Sequence, residues 1–135
     1  MTFYSRSELR IELMNSRLRT GYGMYSNFWV SASPNYTLNV DRGHGNISLE
    51  DTFGMDFYAG YRFLTYDNGD INNASLIGHG GWWYRGCSYC GTVNLNGQYI
   101  TPGTRNYPYE HAAVFYYSFD LYFSLKETKM MFRRI

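Results

Sequence analysis

Charge is scarce in this 135-residue chain: Asp, Glu, Lys and Arg make up 17% of it, against roughly 25% in ordinary soluble domains. The formal net charge is only +1. Nothing electrostatic therefore favours nucleic acid or an anionic membrane as partner. No apolar run is long enough to span a bilayer, and the first residues, MTFYSR, carry no apolar leader core. There are only two cysteines, Cys87 and Cys90, too few to fix a redox compartment. Catalytic signatures are missing as well: there is no nucleophile elbow, no His-Glu-x-x-His and no carboxylate pair in a recognisable setting. Asp51, Asp56, Glu110 and Asp120 read as solvated or hydrogen-bonded structural acids. Zinc needs about four N or S ligands, and one Cys-x-x-Cys with His44, His79 and His111 scattered around it is a weak claim to a site.

Aromatic side chains are what the sequence has in excess, at 20% with 15 tyrosines. Tyrosine and tryptophan combine a large apolar face with a polar tip, which suits both core filling and ligand-binding surfaces, carbohydrate stacking included. Residues 80–99, GGWWYRGCSYCGTVNLNGQY, bring together two adjacent tryptophans, both cysteines, several glycines and an Asn-Gly turn. So glycine-rich a run cannot be a stable helix, and its composition is too specific for a linker. It reads as an irregular, tightly packed, site-forming segment. Adjacent side chains point apart in extended backbone, so Trp82 and Trp83 are expected to serve two separate packing surfaces.

Ahead of it, residues 7–13 alternate Leu9, Ile11 and Leu13 with Glu8, Arg10 and Glu12, the pattern of a half-buried strand. Residues 21–30 and 36–40 predict further strands, with a turn at 31–35. Residues 41–60 read as loops with at most a short helix near 48–52. A short strand is expected at 62–66, irregular structure from 67 to 81 and a loop at 101–111. A densely aromatic stretch follows at 114–123, and a last strand over 124–133 is expected to return to the main sheet. Long irregular stretches of this kind are usually functional loops. Asn35, Asn46 and Asn73 begin N-glycosylation sequons, relevant to a secreted glycoprotein.

Three motifs, GGWWYRGC at 80–87, NLNGQY at 94–99 and YFSLKETKM at 122–130, resemble in order and spacing the fibrinogen C-terminal domain family of fibrinogen chains, ficolins, tenascins and angiopoietins. SELRIEL at 7–13 and YTLNV at 36–40 resemble that family's central strands, and FLTYDNGD at 63–70 its calcium loop. The resemblance implies an α+β fold of twisted antiparallel sheet plus a loop-rich, ligand- and calcium-binding subdomain. Residues 1–66 correspond to the sheet part, 67–121 to the site part and 122–135 to the returning strand. The family's amino-terminal subdomain has no counterpart in the sequence, so oligomerisation is expected only through upstream regions.

For function, the resemblance implies a secreted, non-catalytic recognition domain. The first expectation is lectin-like binding of glycan or acetylated groups in innate defence, assisted by calcium. The alternative is binding of an extracellular protein in matrix, adhesion or receptor–ligand roles. Calcium, a hard cation, takes carboxylates and carbonyls, here Asp67, Asp70, Asn73 and the carbonyl of Ile71; the alternative reading of the same residues is an ordinary Asp/Asn/Gly surface turn. The ligand pocket falls on Ser88, Tyr89, Tyr109 and Glu110, beside a cis peptide expected at Gly86–Cys87. Ser88 stands where lectin members carry a histidine. Gly78 and Leu121 stand where aromatic or charged pocket residues are found. The family's partner for Cys87 is replaced by Ala74, and Cys90 is an addition. A Cys87–Cys90 disulfide is inferred, with free thiols or a redox pair as alternatives.

Overall fold

The computed structural model describes residues 6–47, 54–68, 74–85, 91–106 and 112–135. Strands β1 (Ser7–Met14), β2 (Thr20–Tyr25), β5 (His44–Gly45) and β8 (Glu127–Arg134) form a four-stranded antiparallel sheet in the order β5-β2-β1-β8. Two short ribbons accompany it: β3 (Trp29–Val30) with β4 (Leu38–Asn39), and β6 (Val93–Asn94) with β7 (Phe115–Tyr116). A 3₁₀ turn covers Met55–Tyr58, and two short helices, α1 (Ala74–Gly78) and α2 (Tyr117–Asp120), complete the regular structure.

The period-2 pattern of β1 places Leu9, Ile11 and Leu13 in the core, each at most 3% exposed, and leaves Glu8, Arg10 and Glu12 on the other face. Burying each of those aliphatic side chains contributes about 1.5–3 kcal/mol. Asn15 closes the β1–β2 turn, its Oδ1 accepting from the backbone N–H of both Arg17 and Arg19 at 3.0 Å. From β8, residues Thr128, Met130 and Phe132 lie opposite Leu13, Ile11 and Leu9. The closing strand is thus the neighbour of the first one, joining the beginning and end of the sequence in one sheet.

The apolar face of this sheet packs on Trp82, Trp83, Val93, Tyr116, Phe119 and Leu125, which belong to the same core. The hydroxyls of Tyr25 on β2 and Tyr116 on β7 hydrogen-bond each other inside it, and Tyr25 also accepts from the Met55 N–H at 3.1 Å.

Several elements are shorter than the pattern predicts. The expected strand at 21–30 breaks into β2 and β3, because Asn27 turns to φ 51°. That at 36–40 shrinks to β4, with Tyr36 at φ 48°. In place of a strand at 62–66 there are only the bridges Leu64–Trp82 and Thr65–Asn68. The helix considered near 48–52 lies outside the described residues, and the 3₁₀ turn comes just after. The stretch 67–81, expected to be irregular, contains α1. Among the described residues no helix is long and apolar enough to cross a membrane.

Candidate functional site

Tyr58, at the end of the 3₁₀ turn, is the fixed point beneath the site-forming segment. Its buried hydroxyl donates to the Val93 carbonyl at 2.9 Å and accepts from the N–H of Thr92 at 2.7 Å and of Val93 at 2.9 Å. Burial pushes the phenol above its ordinary value, although the hydrogen bonds around it pull the other way, so it stays a protonated donor at neutral pH. The Thr92 hydroxyl and the Trp82 indole N–H lie beside the same oxygen, but neither meets the geometry of a hydrogen bond. Tyr58 also stacks edge-on against Trp82, at 6.1 Å between centroids.

The tryptophan pair departs from the expectation of two separate surfaces. The two rings touch each other, with centroids 5.2 Å apart, and share one core. They differ in what they hold. The backbone of Trp82 exchanges both hydrogen bonds with Leu64, at 2.9 and 3.2 Å. Trp83 packs edge-on against Phe63 and donates its indole N–H to the Tyr36 carbonyl at 2.8 Å.

The Asn-Leu-Asn-Gly turn acts as a clamp between distant stretches. On one side Asn94 donates to the Gly78 carbonyl at 2.9 Å and Asn96 to the Gly81 carbonyl at 3.0 Å. On the other, the Gln98 N–H donates to the Ala112 carbonyl at 2.7 Å, and the Gln98 side chain accepts from Asn106 at 3.0 Å. Gly97 permits the approach: a Cβ there would stand 2.2 Å from the Ala113 carbonyl oxygen. Residues 78 and 81 on one side and 106 and 112 on the other are thereby fastened to one framework.

The place of Gly78 is filled from elsewhere. A Cβ at Gly78 would lie 2.2 Å from the Tyr84 hydroxyl, which itself donates to the Gly80 carbonyl at 2.5 Å. Tyr84, just after the tryptophan pair, thus fills the space beside Gly78. Next to it, the exposed Arg85 lays its guanidinium over Phe57 at 4.3 Å and Tyr61 at 5.4 Å, and its Nε donates to the Tyr61 hydroxyl at 3.1 Å. Nothing in the spacing of the sequence announced this cluster, because Phe57 sits in the stretch 41–60 that reads as loop and Tyr61 falls between it and the strand expected at 62–66. Leu121, the other changed pocket position, is half exposed at φ 53° beyond the end of α2.

Of the expected site residues, the structure describes Asp67 alone. It is exposed in the turn closed by the Thr65–Asn68 bridge, and its Oδ1 accepts from the Thr65 hydroxyl at 2.7 Å. Asp70, Ile71 and Asn73 lie outside the described residues, as do Cys87, Ser88, Tyr89, Cys90, Tyr109, Glu110 and the Gly86–Cys87 bond. Among the described residues, no three His, Cys, Asp or Glu side chains gather as a metal site.

Comparison with known proteins agrees with this architecture. The family described as the C-terminal globular domain of fibrinogen beta and gamma chains matches residues 1–135. Human microfibril-associated glycoprotein 4 is 30% identical over 149 residues, covering 99% of this chain and 53% of its own length. Fibrinogen C domain-containing protein 1-A of Xenopus laevis is 32% identical over 109 residues, covering 75% of this chain and 22% of its own. The chain therefore spans about half the length, or less, of these relatives. Among solved structures, the fibrinogen-like globe domain of human ANGPTL6 superposes with a TM-score of 0.86 at 26% identity, over 99% of this chain and 59% of that one. A lamprey fibrin D-dimer complexed with the peptide Gly-His-Arg-Pro-amide, at 23% identity and a TM-score of 0.79, shares the fold.

Proposed function

The protein belongs to the family of C-terminal globular domains of the fibrinogen beta and gamma chains, and from that premise we propose that it is a non-catalytic, extracellular recognition domain whose ligand is a protein segment. The observation that carries this reading is the Arg85 cluster. A guanidinium laid over Phe57 and Tyr61, exposed within the site-forming segment, has the composition of a protein-binding hot spot. The rigid framework of Tyr58, Trp82 and the Asn94–Gly97 clamp supports it, so little ordering is needed on binding. That a related fold was solved with a bound peptide is in keeping with such a ligand.

Lectin-like recognition of glycan or acetylated groups, through Ser88, Tyr89, Tyr109 and Glu110, is the second reading. It is favoured by Tyr84, which places an aromatic beside Gly78. Calcium belongs to either reading. The donor set is all oxygen, as a hard cation requires, and the exposed carboxylate of Asp67 stands beside Asp70, Asn73 and the Ile71 carbonyl in sequence. Its role would be to tie the 67–73 loop. A rise in melting temperature on adding calcium that is lost in Asp67→Ala supports that role, and an unmoved temperature opposes it.

The experiment that separates the ligand classes has two arms. In one, the protein is passed over an N-acetylated resin with calcium present and eluted with free acetate. In the other, it selects from a displayed library of extracellular protein segments. Selected segments without acetate-eluted retention support the protein reading; specific retention with no selected segment overturns it in favour of the glycan.

A further inference from the structure

We propose that Asn35 carries an N-linked glycan, anchored beside Trp83 of the site-forming segment. The proposal rests on the extracellular reading above, because the oligosaccharide is attached in the secretory pathway. In that step the side-chain amide nitrogen of Asn35 attacks the first sugar carbon of a polyprenyl diphosphate-linked oligosaccharide. The N-glycosidic bond forms, the sugar–diphosphate bond breaks, and the amide nitrogen gives up one proton as the polyprenyl diphosphate leaves. The acceptor is the tripeptide Asn-x-Ser/Thr with x other than proline, and the sequence holds three, beginning at Asn35, Asn46 and Asn73. Transfer meets the chain before folding is complete, so all three are offered to the donor. The folded molecule separates them by what each amide has to do afterwards.

Asn35, Tyr36 and Thr37 lie in the loop between β3 and β4, a two-stranded ribbon apart from the main sheet. The loop is closed without the Asn35 side chain. The Ser31 N–H donates to the Thr37 carbonyl at 3.0 Å, and the Thr37 N–H donates to the Ser31 hydroxyl at 2.7 Å. Asn35 itself is exposed. Its contribution to the fold is its carbonyl, which accepts from the Phe63 N–H at 3.0 Å. The side-chain amide makes no hydrogen bond among the described residues, so a sugar on it displaces no partner there. Asn46 differs: its Oδ1 accepts from the Tyr22 N–H at 2.7 Å, which fixes the amide plane against β2. Its neighbour Ile47 is buried in the core, with its carbonyl accepting from the Ser118 hydroxyl at 2.5 Å. Asn73 lies outside the described residues, and Ser75, which completes its tripeptide, is buried. Of the three tripeptides only that of Asn35 ends in threonine, whose β-branch restricts the rotamers of the required hydroxyl.

The anchor is tied to the tryptophan pair. One residue after Asn35, the Tyr36 carbonyl accepts from the Trp83 indole N–H at 2.8 Å, and Phe63, held by the Asn35 carbonyl, packs on Trp83 at 5.1 Å between centroids.

Peptide mapping of the full-length protein, secreted from animal cells and folded, tests the proposal. A secretory leader is supplied, so that a missing glycan counts against the site and not against the extracellular reading. Release of the same protein into the medium without the added leader tests that reading separately. Peptide N-glycosidase in heavy-oxygen water converts each glycosylated asparagine to labelled aspartate, and the label is expected on Asn35. Asn35→Gln and Thr37→Ala should each remove one glycan from the intact mass, whereas Thr37→Ser should keep it on at least part of the protein. Thermal melts check that each variant is folded. An unlabelled Asn35 in the secreted parent overturns the proposal, whether or not Asn46 or Asn73 is labelled. An intact mass that neither Asn35→Gln nor Thr37→Ala lowers by a glycan overturns it too.

Discussion

Replacing Tyr58 by phenylalanine removes one oxygen and leaves the ring in place. That oxygen has three partners, the N–H of Thr92, the N–H of Val93 and the carbonyl of Val93. Each buried polar group left without a partner costs about 1–3 kcal/mol. Thr92 is half-buried and water can reach it, whereas both groups of Val93 are enclosed. Two enclosed groups at intermediate cost give a loss of about 3 kcal/mol, a large part of the roughly 5–15 kcal/mol that typically holds a domain together. For a protein of this size that corresponds to a fall of about 10–15 °C in Tm. Urea unfolding followed by circular dichroism measures it, with Tyr61→Phe as the control. The Tyr61 hydroxyl only accepts from exposed Arg85, and its loss is expected to cost about 0.5 kcal/mol or less. A Tyr58→Phe variant within about 1 kcal/mol of the parent would refute the view that this hydroxyl anchors the segment.

Two other perturbations follow from the same geometry. Gly97→Ala forces a Cβ against the Ala113 carbonyl, which is expected to cost about 1–3 kcal/mol or more, as overpacking does. Calorimetry should show the loss, and proteolysis should become faster near 106 and 112 on one side of the clamp and near 81 on the other; an undisturbed melt would contradict the clamp. Burial raises the carboxyl of Asp56 above its ordinary value, opposed by its own backbone N–H and by Arg42. The native state then holds its proton more tightly than the unfolded state does, so stability falls as pH rises from the ordinary carboxylate range through the raised value. Asp56→Asn is therefore expected to be more stable than the parent at neutral pH and to lose that advantage on acidification. The opposite trend in melts between about pH 3 and 7 would mean that the Arg42 attraction wins.

How far the residues alone foretold this molecule depends on the range of the interaction involved. The alternation of residues 7–13 is a local pattern, and β1 follows it residue by residue. The Asn-Gly turn was legible for the same reason, and the three motifs identified the fold. The breaks were less so. Asn27 and Tyr36 adopt positive φ where the pattern predicts continuous strands, because local turn chemistry outweighed β propensity. Tyr58 is one tyrosine among fifteen in a stretch without periodicity, and its role comes from partners 34 and 35 residues away. The same holds for Arg85, whose aromatic neighbours lie 24 and 28 residues upstream. The filling of the space beside Gly78 by Tyr84 is a matter of shape, which spacing does not encode.

The recognition surface itself is tested most directly by Arg85→Ala. Its binding to segments selected from the displayed library is compared with the parent by equilibrium titration, alongside a thermal melt. The side chain is exposed, so the melt should stay put, while affinity should fall by about tenfold or more, the ~1.4 kcal/mol or greater expected of a hot-spot arginine. Unchanged affinity in a folded variant, or acetate-eluted retention on the acetylated resin that the substitution leaves intact, would contradict the account.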